Sequence, residues 1–104
     1  MEDHEYRQAK NAAVVHNASN QRFEINTDGQ LSVLEYTFKN HRLFLMHTEV
    51  PPALEGQGLG TKLAHVALEY ARQNELNVVA ICPFVQEYVS SHPEYQSFVT
   101  TSVA

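Results

Sequence analysis

Val50-Pro51-Pro52-Ala53-Leu54-Glu55-Gly56-Gln57-Gly58-Leu59-Gly60-Thr61 is the stretch on which the fold turns. An apolar strand runs into it, two prolines stop that strand, and a glycine-rich turn leads into a helix. Gly56, Gly58 and Gly60 fall at every second position where turn becomes helix. Bare backbone N–H groups at such a junction converge on an anion, at the positive end of the helix dipole. Glycine suits this role because a Cβ would block close approach and resist positive φ. The same spacing also serves turns tightened for steric reasons alone, so the loop by itself supports both readings. Two familiar phosphate loops do not fit. A Walker-type loop places lysine directly after its last glycine, whereas here Thr61 intervenes before Lys62. The dinucleotide fingerprint needs G-x-G-x-x-G, and the spacing here is G-x-G-x-G.

Downstream of the loop, a helix is predicted from Gly58 to about Gln73. Leu59, Leu63, Val66 and Tyr70 recur at helical spacing on one side, and Lys62, His65, Glu69 and Arg72 form the polar stripe. Asn77 to Cys82 reads as a short buried strand ended by Pro83. A strand, helix, strand order makes the two strands parallel neighbours through a right-handed crossover. Phe84, Val85, Tyr88 and Val89 then fit one face of a short helix, and Pro93 suits the first turn of another reaching Val99. Upstream, Ala12 to His16 is a candidate first strand, and Phe23 and Ile25 share a face of the next. Thr27-Asp28-Gly29-Gln30 is a hairpin turn. Leu34, Tyr36 and Phe38 share a face of the following strand, and Asn40-His41 turns the chain into Arg42 to Val50. That run is apolar on both faces over its first half, as a central strand is. An antiparallel meander therefore precedes the loop. Residues 1–10 and 100–104 read as flexible tails of a single domain spanning residues 1–104.

The chain's 104 residues are enough for one domain with one core. Its net charge of −5, with no basic stripe interleaved with aromatics, argues against a nucleic-acid partner and favours a cationic one such as an amine. The single cysteine excludes an internal disulfide and points to a reducing compartment. The polar start MEDHEYRQAK has no apolar signal segment, and no stretch reaches membrane-spanning length. The expectation is a cytoplasmic protein with no membrane partner. No two of the six histidines have metal-ligand spacing, so no metal is expected.

Glu55-Gly56-Gln57-Gly58-Leu59-Gly60 resembles the pyrophosphate loop of GCN5-related N-acetyltransferases, usually Q/R-x-x-G-x-G/A, with glutamate in the first position. Together with His47-Thr48-Glu49-Val50-Pro51-Pro52, Cys82-Pro83-Phe84-Val85 and His92-Pro93-Glu94-Tyr95, it makes the chain similar to small stand-alone acetyltransferase-like proteins of the YjdJ / NATD1 type. The likeness runs from about Phe23 to Val99. It implies an α/β fold, a minimal acyl-CoA N-acyltransferase (GNAT) fold. The antiparallel meander is followed by the glycine loop, helix and parallel strand, and then by short C-terminal helices. It also implies acetyl-CoA in a cleft between splayed central strands. Backbone groups around Val50 would pair with the pantetheine arm, and N–H groups of Gly56, Gln57, Gly58, Leu59, Gly60 and Thr61 would hold the pyrophosphate. Glu55 departs from the family pattern, and its charge weakens diphosphate binding unless the side chain turns away or is neutralised. The implied activity is acetyl transfer to an amine, on a small molecule or a protein. The chain is far shorter than typical family enzymes, which points to a partner or homodimer completing the site. The rival reading is a CoA-binding or interaction protein with little or no turnover.

Acetyl transfer requires a neutral attacking amine, stabilisation of the thioester oxygen, a base, and a proton for the leaving thiolate. Cys82 follows the last strand, beside the place where the resemblance puts the thioester. It is a candidate to protonate the thiolate or to carry a transient acetyl group. As a free cysteine it also reads as a small buried hydrophobe. His47 and Glu49 lie two apart on the central strand and so share a face. Either suits a general base, directly or through water, and Glu49 suits attraction of a cationic amine; His47 also fits a hydrogen-bonded core histidine. Thr48 points the other way and reads as structural. His92 belongs to a helix start, and His4, His16, His41 and His65 read as surface residues. Tyr88 and Tyr95 fit either the cleft lining or the core.

Overall fold

Two tight turns set the register of the meander. In the computed structural model, which describes residues 13–101, strand β2 (Arg22–Thr27) is joined to β3 (Gln30–Lys39) by Asp28 and Gly29, at φ 52° and 87°. Asn40 and His41, at φ 53° and 65°, join β3 to β4 (Arg42–Glu49). Positive φ at both central residues matches the right-handed twist of the flanking strands, which is why Asp, Asn and Gly occupy such turns. Asn26 Oδ1 accepts the Gly29 N–H at 2.9 Å and fixes the first turn further. A short β1 (Val15–Asn17) precedes them, beginning slightly later than the sequence suggests. The expected tail over residues 1–10 lies outside the described residues.

Beyond β4 come α1 (Leu59–Gln73), β5 (Asn77–Ala80), α2 (Pro83–Ser90), a one-turn 3₁₀ helix (Pro93–Tyr95) and β6 (Val99–Thr100). The six strands form one sheet in chain order, antiparallel from β1 to β4 and parallel from β4 to β6. The expected C-terminal helix stops after one turn because Val78 N–H bonds Phe98 C=O at 2.9 Å and draws the chain into β6. Thr100, expected in a tail, is therefore paired with Val79.

Both crossovers, β4–α1–β5 and β5–α2–β6, progress in the same direction across the sheet. A right-handed connection then places both helices on one face. The core agrees: Leu63, Leu68 and Ala71 of α1 and Val85 and Val89 of α2 join one cluster with Phe23, Ile25, Leu34, Leu43, Leu45 and Val78. On α1 the buried stripe is Leu59, Leu63, Ala64, Ala67, Leu68 and Ala71, while Val66 and Tyr70 are only half-buried. The expected stripe was rotated because alanine carries a weak hydrophobic signal, yet its small side chain lets the helix approach the sheet closely. Phe38, expected beside Leu34 and Tyr36, is 48 % exposed at the end of β3.

His16, expected at the surface, is half-buried. Its ring stacks on Phe23 at 4.4 Å and its Nε2 lies 2.6 Å from the Tyr36 hydroxyl. Burial lowers its pKa, since the charged ring would lose hydration. At the other side of α1, the buried Tyr95 hydroxyl donates to Glu69 Oε2 at 2.7 Å and lies 3.1 Å from His65 Nδ1. This ties the C-terminal segment to the helix. Tyr95 and Tyr88 are therefore packing residues, and neither lines the cavity described next.

Candidate active site

The parallel pairing of β4 with β5 runs only from Arg42↔Asn77 to Leu45↔Ala80. At that point one acceptor, Leu45 C=O, takes both the Ile81 N–H at 3.0 Å and the Cys82 N–H at 2.9 Å. Past it the strands part. β4 continues to Glu49 against β3 alone, and Cys82 gives way to Pro83, which opens α2 at a position where its missing N–H costs no helix bond.

A β-bulge accompanies the parting. Tyr36 faces Leu45 and Glu35 faces His47, so Met46 is the extra residue on β4. One inserted residue reverses the faces of everything beyond it. Leu43 and Leu45 point into the core with Tyr36, and after the bulge it is Thr48, opposite the buried Leu34, that shares their face. His47 and Glu49 share a face as expected, but it is the sheet face away from the helices. Their side chains are 58 % and 71 % exposed, with His47 Nε2 3.5 Å from Glu49 Oε1.

Beside this parting, between the end of β4, the start of α1 and the start of α2, lies a cavity of about 490 Å³. Thr48 and Val50 of the β4 side, Leu54 and Glu55 of the proline-rich turn, and Phe84 of α2 form its walls. Gly56, Gly58, Leu59, Gly60 and Thr61 complete it. Gly56 and Gly58 have φ of +89° and +81°, and an added Cβ at either would meet no atom within 4 Å. They are glycines for backbone conformation, with open space beyond. Gly60 is different: its Cβ would come within 3.1 Å of the Phe84 ring, so its bareness makes room for α2. The steric reading of the loop thus applies to Gly60, and the conformational one to Gly56 and Gly58.

Gly58 caps α1 without a side chain, and the Lys62 N–H to Gly58 C=O bond at 3.0 Å is the first of the helix. The N–H groups of Leu59, Gly60 and Thr61 therefore have no acceptor within the helix. They stand at the positive end of the α1 dipole, on residues that line the cavity. Glu55 lines it too, which puts an acidic residue beside the helix N-terminus. Gln57 is exposed and outside the lining.

Cys82 is 4 % exposed and outside the lining; it lies behind Thr48, with Sγ 3.3 Å from Thr48 Oγ1. The residues that sequence reasoning passed over are thus Thr48, Leu54 and Phe84. A signal for Thr48 existed. Uninterrupted alternation from Leu43 and Leu45 would have carried His47 and Glu49 onto the core face, a conflict that a bulge resolves.

A strand-splayed sheet with a glycine loop at the N-terminus of the intervening helix matches known proteins. Residues 22–98 fit the sequence profile described as GCN5-related N-acetyl-transferase. The chain belongs to that family. It is 32 % identical over 83 residues to Protein NATD1 of mouse, covering 77 % of this chain and 76 % of that one. Human Protein NATD1 is also 32 % identical over 83 residues, with coverage of 77 % and 74 %. The NMR solution structure of a GCN5-like protein from Staphylococcus aureus superposes with a TM-score of 0.70 at 29 % identity, covering 89 % of this chain and 92 % of that one. The family and the structural neighbour agree with the mixed α/β fold described above, which has six strands and two α-helices among the described residues. Among the described residues, no helix is long and apolar enough to cross a membrane.

Proposed function

We propose that the chain is an acetyl-CoA-dependent N-acetyltransferase acting on an amine. The observation that carries this reading is the cavity itself. It joins the N–H groups that open α1 to Thr48, behind which the buried Cys82 lies where β4 and β5 part. The fit is favourable: two positive-φ glycines leave the loop open, and the volume of about 490 Å³ suits an elongated ligand arm. Acetyl-CoA, when bound, supplies an activated acyl group and a thiol leaving group. Backbone groups around Val50 hold its arm, and the N–H groups from Gly56 to Thr61, through Gln57, Gly58, Leu59 and Gly60, hold its diphosphate. Leu54, Leu59 and Phe84 keep water from the walls. Thr48 is the proton-bearing side chain on the cavity wall beside β4, and the Cys82 thiol lies behind it. His47 and Glu49, on the other side of β4, serve as a base reached through water and as an attractor for a cationic amine.

The acceptor is a small-molecule or protein amine, a homodimer or partner completes its side of the site, and the protein works in the cytoplasm. A second reading has its own support. Glu55 on the cavity rim, and the exposed position of His47 and Glu49 outside it, favour a CoA-binding protein with little turnover.

Isothermal titration of acetyl-CoA and of CoA into the wild type and Gly58→Glu separates these, when followed by an amine panel assayed for released thiol. Binding lost in the variant, with turnover of some amine by the wild type, is the expected result. Binding without turnover of any amine selects the second reading, and no binding by the folded wild type rejects both.

A further inference from the structure

We infer that Thr48 is the link through which the Cys82 thiol acts on the cavity, an inference that rests on the acetyltransferase reading. Cys82 is buried and stands outside the residues that line the cavity. Thr48 touches both: it lines the cavity, and its Oγ1 lies 3.3 Å from Sγ. Among the described residues, the Thr48 hydroxyl makes no other hydrogen bond. A hydroxyl has one proton and two lone pairs, so it can accept from Sγ–H while donating into the cavity.

The Met46 bulge is what places it there. With strict alternation Thr48 would face away from the helices and the thiol would be cut off from the cavity; the extra residue rotates the hydroxyl into the gap between the strands. The shift of protons balances. The Thr48 O–H gives its proton to a basic leaving sulfur in the cavity, and Oγ1 takes the Sγ–H proton as its replacement. The electron pair left on Sγ recovers a proton by the reverse shift, from the one that the attacking amine sheds. Nothing is oxidised, and no acyl group is attached to the protein.

The test uses the full chain as wild type, Thr48→Val, Thr48→Ser, Cys82→Ala and the Thr48→Val/Cys82→Ala double variant, each checked for native circular dichroism. The one cysteine gives the protein a single S–H stretch, readable by Raman spectroscopy without turnover. Thr48→Val should move that band toward the free-thiol frequency, and Thr48→Ser should restore it. In turnover, Thr48→Val, Cys82→Ala and the double variant should each lose roughly 100-fold in kcat. Equal losses in the singles and the double mark groups that act as one unit. KM for acetyl-CoA should stay at the wild-type value and Thr48→Ser should recover kcat. Wild-type kcat in Thr48→Val, losses that multiply in the double variant, or an unmoved S–H band each overturn the link while leaving the acetyltransferase reading intact. Absence of wild-type turnover despite acetyl-CoA binding overturns that reading and the link together.

Discussion

Gly58 and Gly29 form a matched pair that separates the anion-binding role of the loop from its conformational role. Their φ values are +81° and +87°, and a Cβ at either would meet nothing within 4 Å. Gly29 sits in the β2–β3 turn, and Gly58 lines the cavity and caps α1. Alanine at either position must hold a left-handed backbone, costing about 1–2 kcal/mol. The stiffer unfolded chain offsets roughly 0.4–1 kcal/mol of that. Each variant should therefore lose about 1 kcal/mol, a fall in Tm of about 4–8 °C for a domain of this size. Affinity should differ between them. The Gly58→Ala methyl projects into the space where the account puts the diphosphate, so Kd for CoA should rise at least about tenfold, or 1.4 kcal/mol. Gly29→Ala should bind as wild type. Differential scanning calorimetry and isothermal titration measure the two quantities on the same samples. Equal CoA affinity in the two variants would refute the reasoning, because the methyl would then stand clear of the ligand.

Two further changes test the scaffold. Ser32 is fully buried opposite Ile25, and its hydroxyl has no hydrogen-bond partner among the described residues. Ser32→Ala should consequently raise stability in urea by up to about 1 kcal/mol, because it removes an unpaid desolvation penalty; a loss of that size would show that the hydroxyl is satisfied in solution. Tyr95→Phe removes the donor to Glu69 and should cost about 1 kcal/mol at pH 7. The Tyr95 hydrogen bond, followed by that from Arg72, holds the Glu69 carboxyl below its ordinary value of 4.5. A lowered folded-state pKa contributes stability above that ordinary value and loses it as pH falls through the folded value. The gap between wild type and Tyr95→Phe should accordingly narrow below pH 4.5. A pH-independent gap would locate the tyrosine's contribution in packing alone.

Much of this fold is legible because local chemistry and global topology agree. Asp28-Gly29 and Asn40-His41 can hardly be anything but tight turns, and the proline pair followed by glycines announces the passage from β4 to α1. The loop residues that line the cavity are legible for the same reason. Where the reading slipped, the cause was a tertiary feature with no local mark. The Met46 bulge lies inside Leu43-Phe44-Leu45-Met46, where apolar residues on both faces hide a change of phase, and it exchanges Thr48 for His47 and Glu49 at the core face. Phe84 carries the pattern of a core residue but is 40 % exposed at the cavity wall, because Gly60 of α1 leaves room for its ring. His16 looks polar in sequence, yet Phe23, Tyr36 and Tyr70 supply rings that accept it.

The most direct test of the central claim is a ¹⁵N–¹H correlation titration of the wild-type chain with acetyl-CoA. Saturable shifts are expected for the backbone amides of Gly56, Gly58, Leu59, Gly60 and Thr61, together with Val50 and Thr48, while the amides of the Asp28-Gly29 turn stay fixed. Saturable shifts confined to another surface, or none at concentrations that saturate an authentic acetyl-CoA enzyme, would contradict it.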